Sequence, residues 1–151
     1  VILFLDVPSV SDAAVTYFQN AEYEFSRAHE PRNRSAAMSP EGKTSLVVEF
    51  PCFQSEEIWM REDSSLIEGL VSSLHEMGLI DRSAVIDADV HRLPDAYPVY
   101  FNGYGEVSEV VLNYLAKFGN LWSLGRGGSY FYGHVHDFLT EAPDVIRAGE
   151  S

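Results

Sequence analysis

The sequence predicts an α+β fold: a mixed, largely antiparallel sheet covered by helices, with a strand-turn-helix unit toward the C-terminus. Three observations carry this. Runs of β-branched, aliphatic and aromatic residues at Val1 to Asp6 and Thr44 to Phe53 have the composition of strands. Apolar residues then recur at three- and four-residue steps from Asp63 to Met77, and again from Val107 to Phe118, the period of a helix with one buried face. Strands therefore come first and helices interleave with strands later, which favours an α+β order over a regular βαβ alternation.

Taken in order, Val1 to Asp6 is a continuous apolar run closed by Pro8, predicting a strand buried on both faces. Val15 to Asn20 and Tyr23 to His29 alternate more loosely and predict a hairpin with one packed face, turning near Asn20-Ala21-Glu22. Glu30 to Lys43 contains two prolines, Gly42 and small polar residues, and predicts a surface loop of low order. Thr44 to Phe53 is the strongest strand signal, ended by Pro51. In the helix from Asp63 to Met77, Leu66, Ile67, Leu70, Val71, Leu74 and Met77 form the stripe, Asp63 or Ser64 caps the start, and Gly78 stands at the left-handed position past the end. Ala84 to Arg92 returns to a strand pattern. The second helix, with Val107, Val110, Val111, Tyr114, Leu115 and Phe118 on its stripe, closes at Gly119. Leu121 to Leu124 predicts a short core strand, and Val135 to Ile146 a third helix weakened by Pro143.

The chain has 151 residues and a formal net charge of −13, which argues against nucleic acid or an anionic membrane surface as partner. No apolar run is long enough to span a bilayer. The single cysteine, Cys52, cannot form an internal disulfide and lies in the apolar run VVEFPCF, where burial as a small hydrophobe is expected; a reducing cytoplasm fits. Beginning inside a strand pattern without an initiator Met, the chain reads as part of a longer protein.

The densest chemistry lies between Ala96 and Asp137. Gly125-Arg126-Gly127-Gly128 permits close backbone approach to a ligand or a turn with positive φ, and Arg126 adds a positive charge in an acidic protein. Tyr97, Tyr100, Tyr104, Tyr130 and Tyr132 can wall a pocket or simply pack. His134-Val135-His136-Asp137 has metal-binding residue types, but with no distant fourth ligand no metal is expected. Arg27, Arg32 and Arg34 either hold an anionic substrate or pair with Glu22, Glu24 and Glu30. Neither a dinucleotide GxGxxG fingerprint nor a nucleophile-base signature is present, so no self-contained catalytic apparatus is legible.

The order HRLPDAYPVYFNGYGEVSEVVLNYLAKFGNLWSLGRGGSYFYGHVHD resembles the C-terminal part of the flavin-containing amine oxidase and protoporphyrinogen oxidase-like superfamily, especially its UDP-galactopyranose mutase-like subgroup. In that family an AYPVY segment leads through a helix to a short strand ending in Gly-Arg, then a G-x-[YF]-x-Y segment and a final helix. EGKTSLVVEFPCF and the helix after it are similar to the family's substrate-domain strand, so the resemblance runs from about Phe25 onward. It implies a partial substrate-binding domain over residues 1–96 and, over 97–151, a return segment of a Rossmann-like FAD-binding domain. It further implies FAD as cofactor, held by Gly125, Arg126, Gly127, Gly128, Tyr132 and His134, with Tyr97, Tyr100 and Arg27 toward a small-molecule substrate, possibly a sugar nucleotide. The family's final helix opens with Asn-Met-Asp, where this chain has His134, Val135 and His136. The family's N-terminal GxGxxG half would be the missing partner, and this portion alone is expected to be inactive. The function implied is that of an FAD-dependent oxidoreductase or mutase. The alternatives are a non-catalytic α+β module with a tyrosine-lined partner or glycan surface, and a metal-dependent hydrolase built on His134, His136 and Asp137.

Overall fold

The computed structural model describes residues 1–149. The chain divides into two compact units, one spanning Val1–Pro94 and a second from Asp95 onward; the sequence boundary lies after residue 96.

The first unit is built on a five-stranded sheet. Its strands are β1 (Ile2–Leu5), β2 (Val15–Tyr17), β3 (Arg27–His29), β4 (Thr44–Glu49) and β5 (Val85–Asp89), in the order β2-β3-β4-β1-β5. Every described pairing is antiparallel, so the mixed sheet of the sequence reading becomes a fully antiparallel one. The hairpin forms as its sequence predicts: Val15 opposes His29 and Tyr17 opposes Arg27. The Asn20 side chain makes the turn by accepting from the Glu22 amide at 3.1 Å.

Period-two alternation decides which side chains are buried. In β4, Thr44, Leu46 and Val48 face inward while Ser45, Val47 and Glu49 do not. Leu3 and Leu5 of β1 join them in the core with Ala28 and Phe25. Phe4 is 41% exposed, so β1 is buried on one face only, against the expectation of two. The physical reason is that an antiparallel sheet with helices on one side leaves its other face open.

Helix α1 (Glu57–Met60) is a single turn; α2 (Asp63–Glu76) supplies the cover, with Leu70 and Leu74 in the same core cluster as the strand residues. No side chain caps the start of α2, in contrast to the expected Asp63 or Ser64 cap. Its end does follow the sequence signal. Gly78 has φ +72°, its amide donates to the His75 carbonyl at 2.9 Å, and the Leu79 amide reaches the Leu74 carbonyl at 3.0 Å, the two bonds of a Schellman motif.

The stretch from Glu30 to Lys43 is more ordered than its composition predicts. It forms two 3₁₀ turns, Pro31–Asn33 and Ala36–Met38, beside a Glu30 that is only 2% exposed. Glu30 Oε1 accepts from the Val10 amide at 2.9 Å and the Thr44 hydroxyl at 2.8 Å, and Oε2 from the Ser11 amide at 3.0 Å and Asn33 Nδ2 at 3.2 Å. Both oxygens of the buried carboxylate are thus satisfied, and two loops are tied to the start of β4. Near the end of the unit, Arg92 donates to the Trp59 carbonyl at 2.8 Å, the Arg61 carbonyl at 2.6 Å and the Asp63 carboxylate at 2.5 Å.

The second unit contains α3 (Tyr104–Leu115), the one-turn α4 (Gly125–Ser129) and α5 (Val135–Gly149), which carries Pro143 within it. Helix α3 ends at Leu115 with Ala116 as its flanking residue, short of the predicted stop at Gly119. Leu121 to Leu124 is not a strand, because no described neighbour pairs with it and a strand exists only within a ladder. Gly125 to Gly128 lies within the one-turn helix α4, and Gly125 has the positive φ, +75°, that the turn reading expects.

Candidate functional site

The second unit gathers several predicted site residues around one guanidinium. Arg126, on α4, lies 4.8 Å from the ring centroid of Tyr97 and 4.8 Å from that of Tyr132. Its Nη2 donates to the Gly133 carbonyl at 2.6 Å, the one hydrogen bond Arg126 makes among the described residues. Both ring distances are within cation–π range. Tyr132 stands edge-on to Tyr100, with centroids 5.8 Å apart, and Tyr100 edge-on to Tyr104 at 5.0 Å. These perpendicular arrangements suit the ring quadrupoles. The Tyr100 hydroxyl is buried and has no hydrogen-bond partner among the described residues.

Local sequence explains how the loop around Arg126 is held. The Ser123 hydroxyl donates to the Gly128 carbonyl at 2.9 Å, and a Cβ on Gly128 would come within 3.2 Å of that same hydroxyl oxygen. The Ser129 hydroxyl donates to the Gly125 carbonyl at 2.8 Å. Gly125 and Gly127 have no atom within 4 Å of where a Cβ would stand, so their lack of a side chain leaves open space beside the backbone. Gly133 is tighter, since its Cβ would meet the Phe131 and Phe138 rings at 2.9 Å.

His134 lies at the opening of α5. Its amide donates to Asp137 Oδ2 at 2.7 Å, so Asp137 acts as a local helix-start acceptor. The His134 and His136 rings stack at 5.5 Å, and His136 Nε2 is 3.5 Å from Asp137 Oδ1. Among the described residues no group of three His, Cys, Asp or Glu side chains is arranged to hold a metal ion.

Arg27 belongs to the first unit, on the open face of the sheet. Its Nε is 2.8 Å from Glu49 Oε2, and His29 Nε2 is 2.8 Å from Glu49 Oε1. Burial pushes the Glu49 carboxyl upward, but the hydrogen bonds from Arg27 and His29 outweigh it and hold it below the usual carboxylate range. Of the other two arginines weighed with it, Arg32 donates to the Pro8 and Lys43 carbonyls. Arg61 takes both Glu24 and Glu57, an ionic cluster the sequence reading did not single out, although the four-residue step from Glu57 to Arg61 signals half of it.

A depression of about 350 Å³ in the first unit is lined by Asp6, Val10, Leu79, Ile80, Asp81 and Ser83 among others, and none of the predicted site residues lines it. Cys52 is half-buried, and its thiol pKa is raised by that burial and by the neighbouring Glu56, which leaves it a poor nucleophile. No helix among the described residues is long and apolar enough to cross a membrane. Comparisons with protein-family models, with curated proteins and with solved structures find no match to this chain.

Proposed function

We propose that this chain is the C-terminal portion of an FAD-dependent oxidoreductase or UDP-galactopyranose mutase-like flavoenzyme. In this reading residues 1–96 serve the substrate, and 97–151 return to a Rossmann-like FAD-binding domain. The observation that carries it is the cluster of Tyr97, Tyr100, Arg126 and Tyr132. The resemblance assigned these residues to the cofactor and substrate from two separate stretches of sequence; Tyr97 and Tyr132 lie against the Arg126 guanidinium, and Tyr100 stands edge-on to Tyr132.

The residues fit such a group. Arg126 carries charged donors suited to phosphate oxygens. The buried Tyr100 hydroxyl lacks a partner among the described residues, and the backbone at Gly125 and Gly127 is open to close approach. FAD, when bound, supplies the electron chemistry; the chain's own part is to orient it and to neutralise charge. The substrate class, whether an amine, an oxidisable ring or a sugar nucleotide, follows from pocket shape rather than from these motifs.

The test is a visible spectrum of the purified parent protein. A flavin spectrum is expected, and Arg126→Ala should weaken FAD retention by about 1.5–3 kcal/mol, the scale of a charge-assisted hydrogen bond. A parent protein that carries no flavin and gains none on adding FAD overturns the reading.

A second reading, a non-catalytic module with a tyrosine-lined surface for a partner or glycan, is favoured by one observation. Tyr97, Phe101, Trp122, Phe131 and Tyr132 are all exposed. The same spectrum separates the two, because this module needs no flavin.

A further inference from the structure

Two ring faces and one hydrogen bond act on the Arg126 guanidinium, and each removes a different freedom. The Tyr97 and Tyr132 rings, both at 4.8 Å, limit tilt, while the Nη2 bond to the Gly133 carbonyl at 2.6 Å limits rotation within the plane. Tyr132 is in turn braced edge-on by Tyr100 at 5.8 Å. Tyr97 and Tyr132 therefore each turn toward Arg126 a ring surface that a ligand would otherwise use.

We infer that Tyr97 and Tyr132 are positioning residues, which hold Arg126 as a preset fork for a pyrophosphate group and act on that group through Arg126. This differs from their assignment as substrate and cofactor contacts, and it rests on the flavoenzyme reading only for where the pyrophosphate comes from. A planar guanidinium matches phosphate oxygens with paired hydrogen bonds, and fixing its plane beforehand removes ordering cost from binding. The pyrophosphate belongs either to the dinucleotide cofactor or to a sugar nucleotide.

The experiment follows the Arg126 Nε–H resonance in the ¹⁵N-labelled chain during titration with inorganic pyrophosphate, with amide signals of residues 1–94 as the control for folding. In the wild type this resonance is expected at a ring-shifted position and moves on titration. Tyr97→Leu should reduce the ring shift to the share that Tyr132 supplies and weaken binding by about five-fold, the scale of one cation–π contact. Tyr97→Phe should preserve both. In an Arg126→Lys background, Tyr97→Leu should add nothing, because its effect passes through the fork. Unchanged affinity in Tyr97→Leu, an equal loss in both backgrounds, or a wild type that takes no pyrophosphate each overturns the inference. Separate titrations with FAD and with UDP assign the source, since the one that moves Arg126 at lower concentration supplies the pyrophosphate. A parent protein without flavin removes the flavoenzyme reading but leaves this titration to be decided on its own.

Discussion

Residues 1–94 bury their apolar side chains against one another, whereas the second unit collects aromatic rings about one guanidinium and leaves the apolar stripe of α3 unburied. Both units carry good helical stripes. Leu66, Leu70 and Leu74 of α2 are buried, while α3, with an equally regular stripe of Val107, Val110, Val111 and Tyr114, buries none of its residues. Periodicity therefore identifies a helix without identifying what covers it. Cover comes from a sheet, and among the described residues the sheet belongs to the first unit.

The sharpest break of this comparison is a matched pair of truncations. Leu74→Ala, at a side chain 0% exposed, should destabilise the first unit by about 3–5 kcal/mol, counting lost burial and the cavity left behind. Val110→Ala, at 71% exposure, should stay within about 0.5 kcal/mol. Urea unfolding reads both, and similar losses would erase the distinction between the units. Next in size is Glu30→Ala, which strips acceptors from the Val10 and Ser11 amides, the Thr44 hydroxyl and Asn33. A loss of about 2–3 kcal/mol is expected by the same assay, and a neutral result would mean that water replaces the carboxylate.

Smaller still is a glycine pair. Gly78→Ala forces a side chain into φ +72° and should cost about 1 kcal/mol, while Gly119→Ala, with open space around it and no positive φ, should be nearly neutral in thermal unfolding. The smallest effect is electrostatic. Glu49 is held below its ordinary pKa in the folded state, so its contribution is present above the unfolded value and fades as pH falls from there through the depressed folded value. Glu49→Gln should flatten that acid limb of the stability curve and leave its alkaline limb alone. An unchanged acid limb would show that the Arg27–Glu49–His29 cluster is screened by solvent.

The α+β class, the hairpin, α2 and the Gly78 stop were legible because each depends on residues close in sequence. Leu121 to Leu124 was not, since an apolar run becomes a strand only when a neighbour accepts its hydrogen bonds. Glu30 was hidden for a related reason: its partners include main-chain amides up to 20 positions away, and no residue type announces them. At the candidate site, the crowding of glycine, arginine and tyrosine was visible. The pairing of Tyr97 with Tyr132 across one guanidinium was not, because aromatic spacing along a chain says nothing about which rings share a cation. The one-turn helix at Gly125–Ser129 defies a glycine-rich composition that disfavours helix, and hydroxyl bonds from Ser123 and Ser129 help hold it.

The three bonds from Arg92 give the first unit a mechanical property. Among the described residues β5 is an edge strand paired with β1 alone, and an edge strand peels readily when tension opens its ladder one bond at a time. Arg92 lies between β5 and the end of the unit and grips the carbonyls of Trp59 and Arg61 and the carboxylate of Asp63. Tension arriving along the chain from Asp95 onward therefore meets this anchor first and is delivered to the α1–α2 corner, where several bonds must fail together before the sheet begins to unzip.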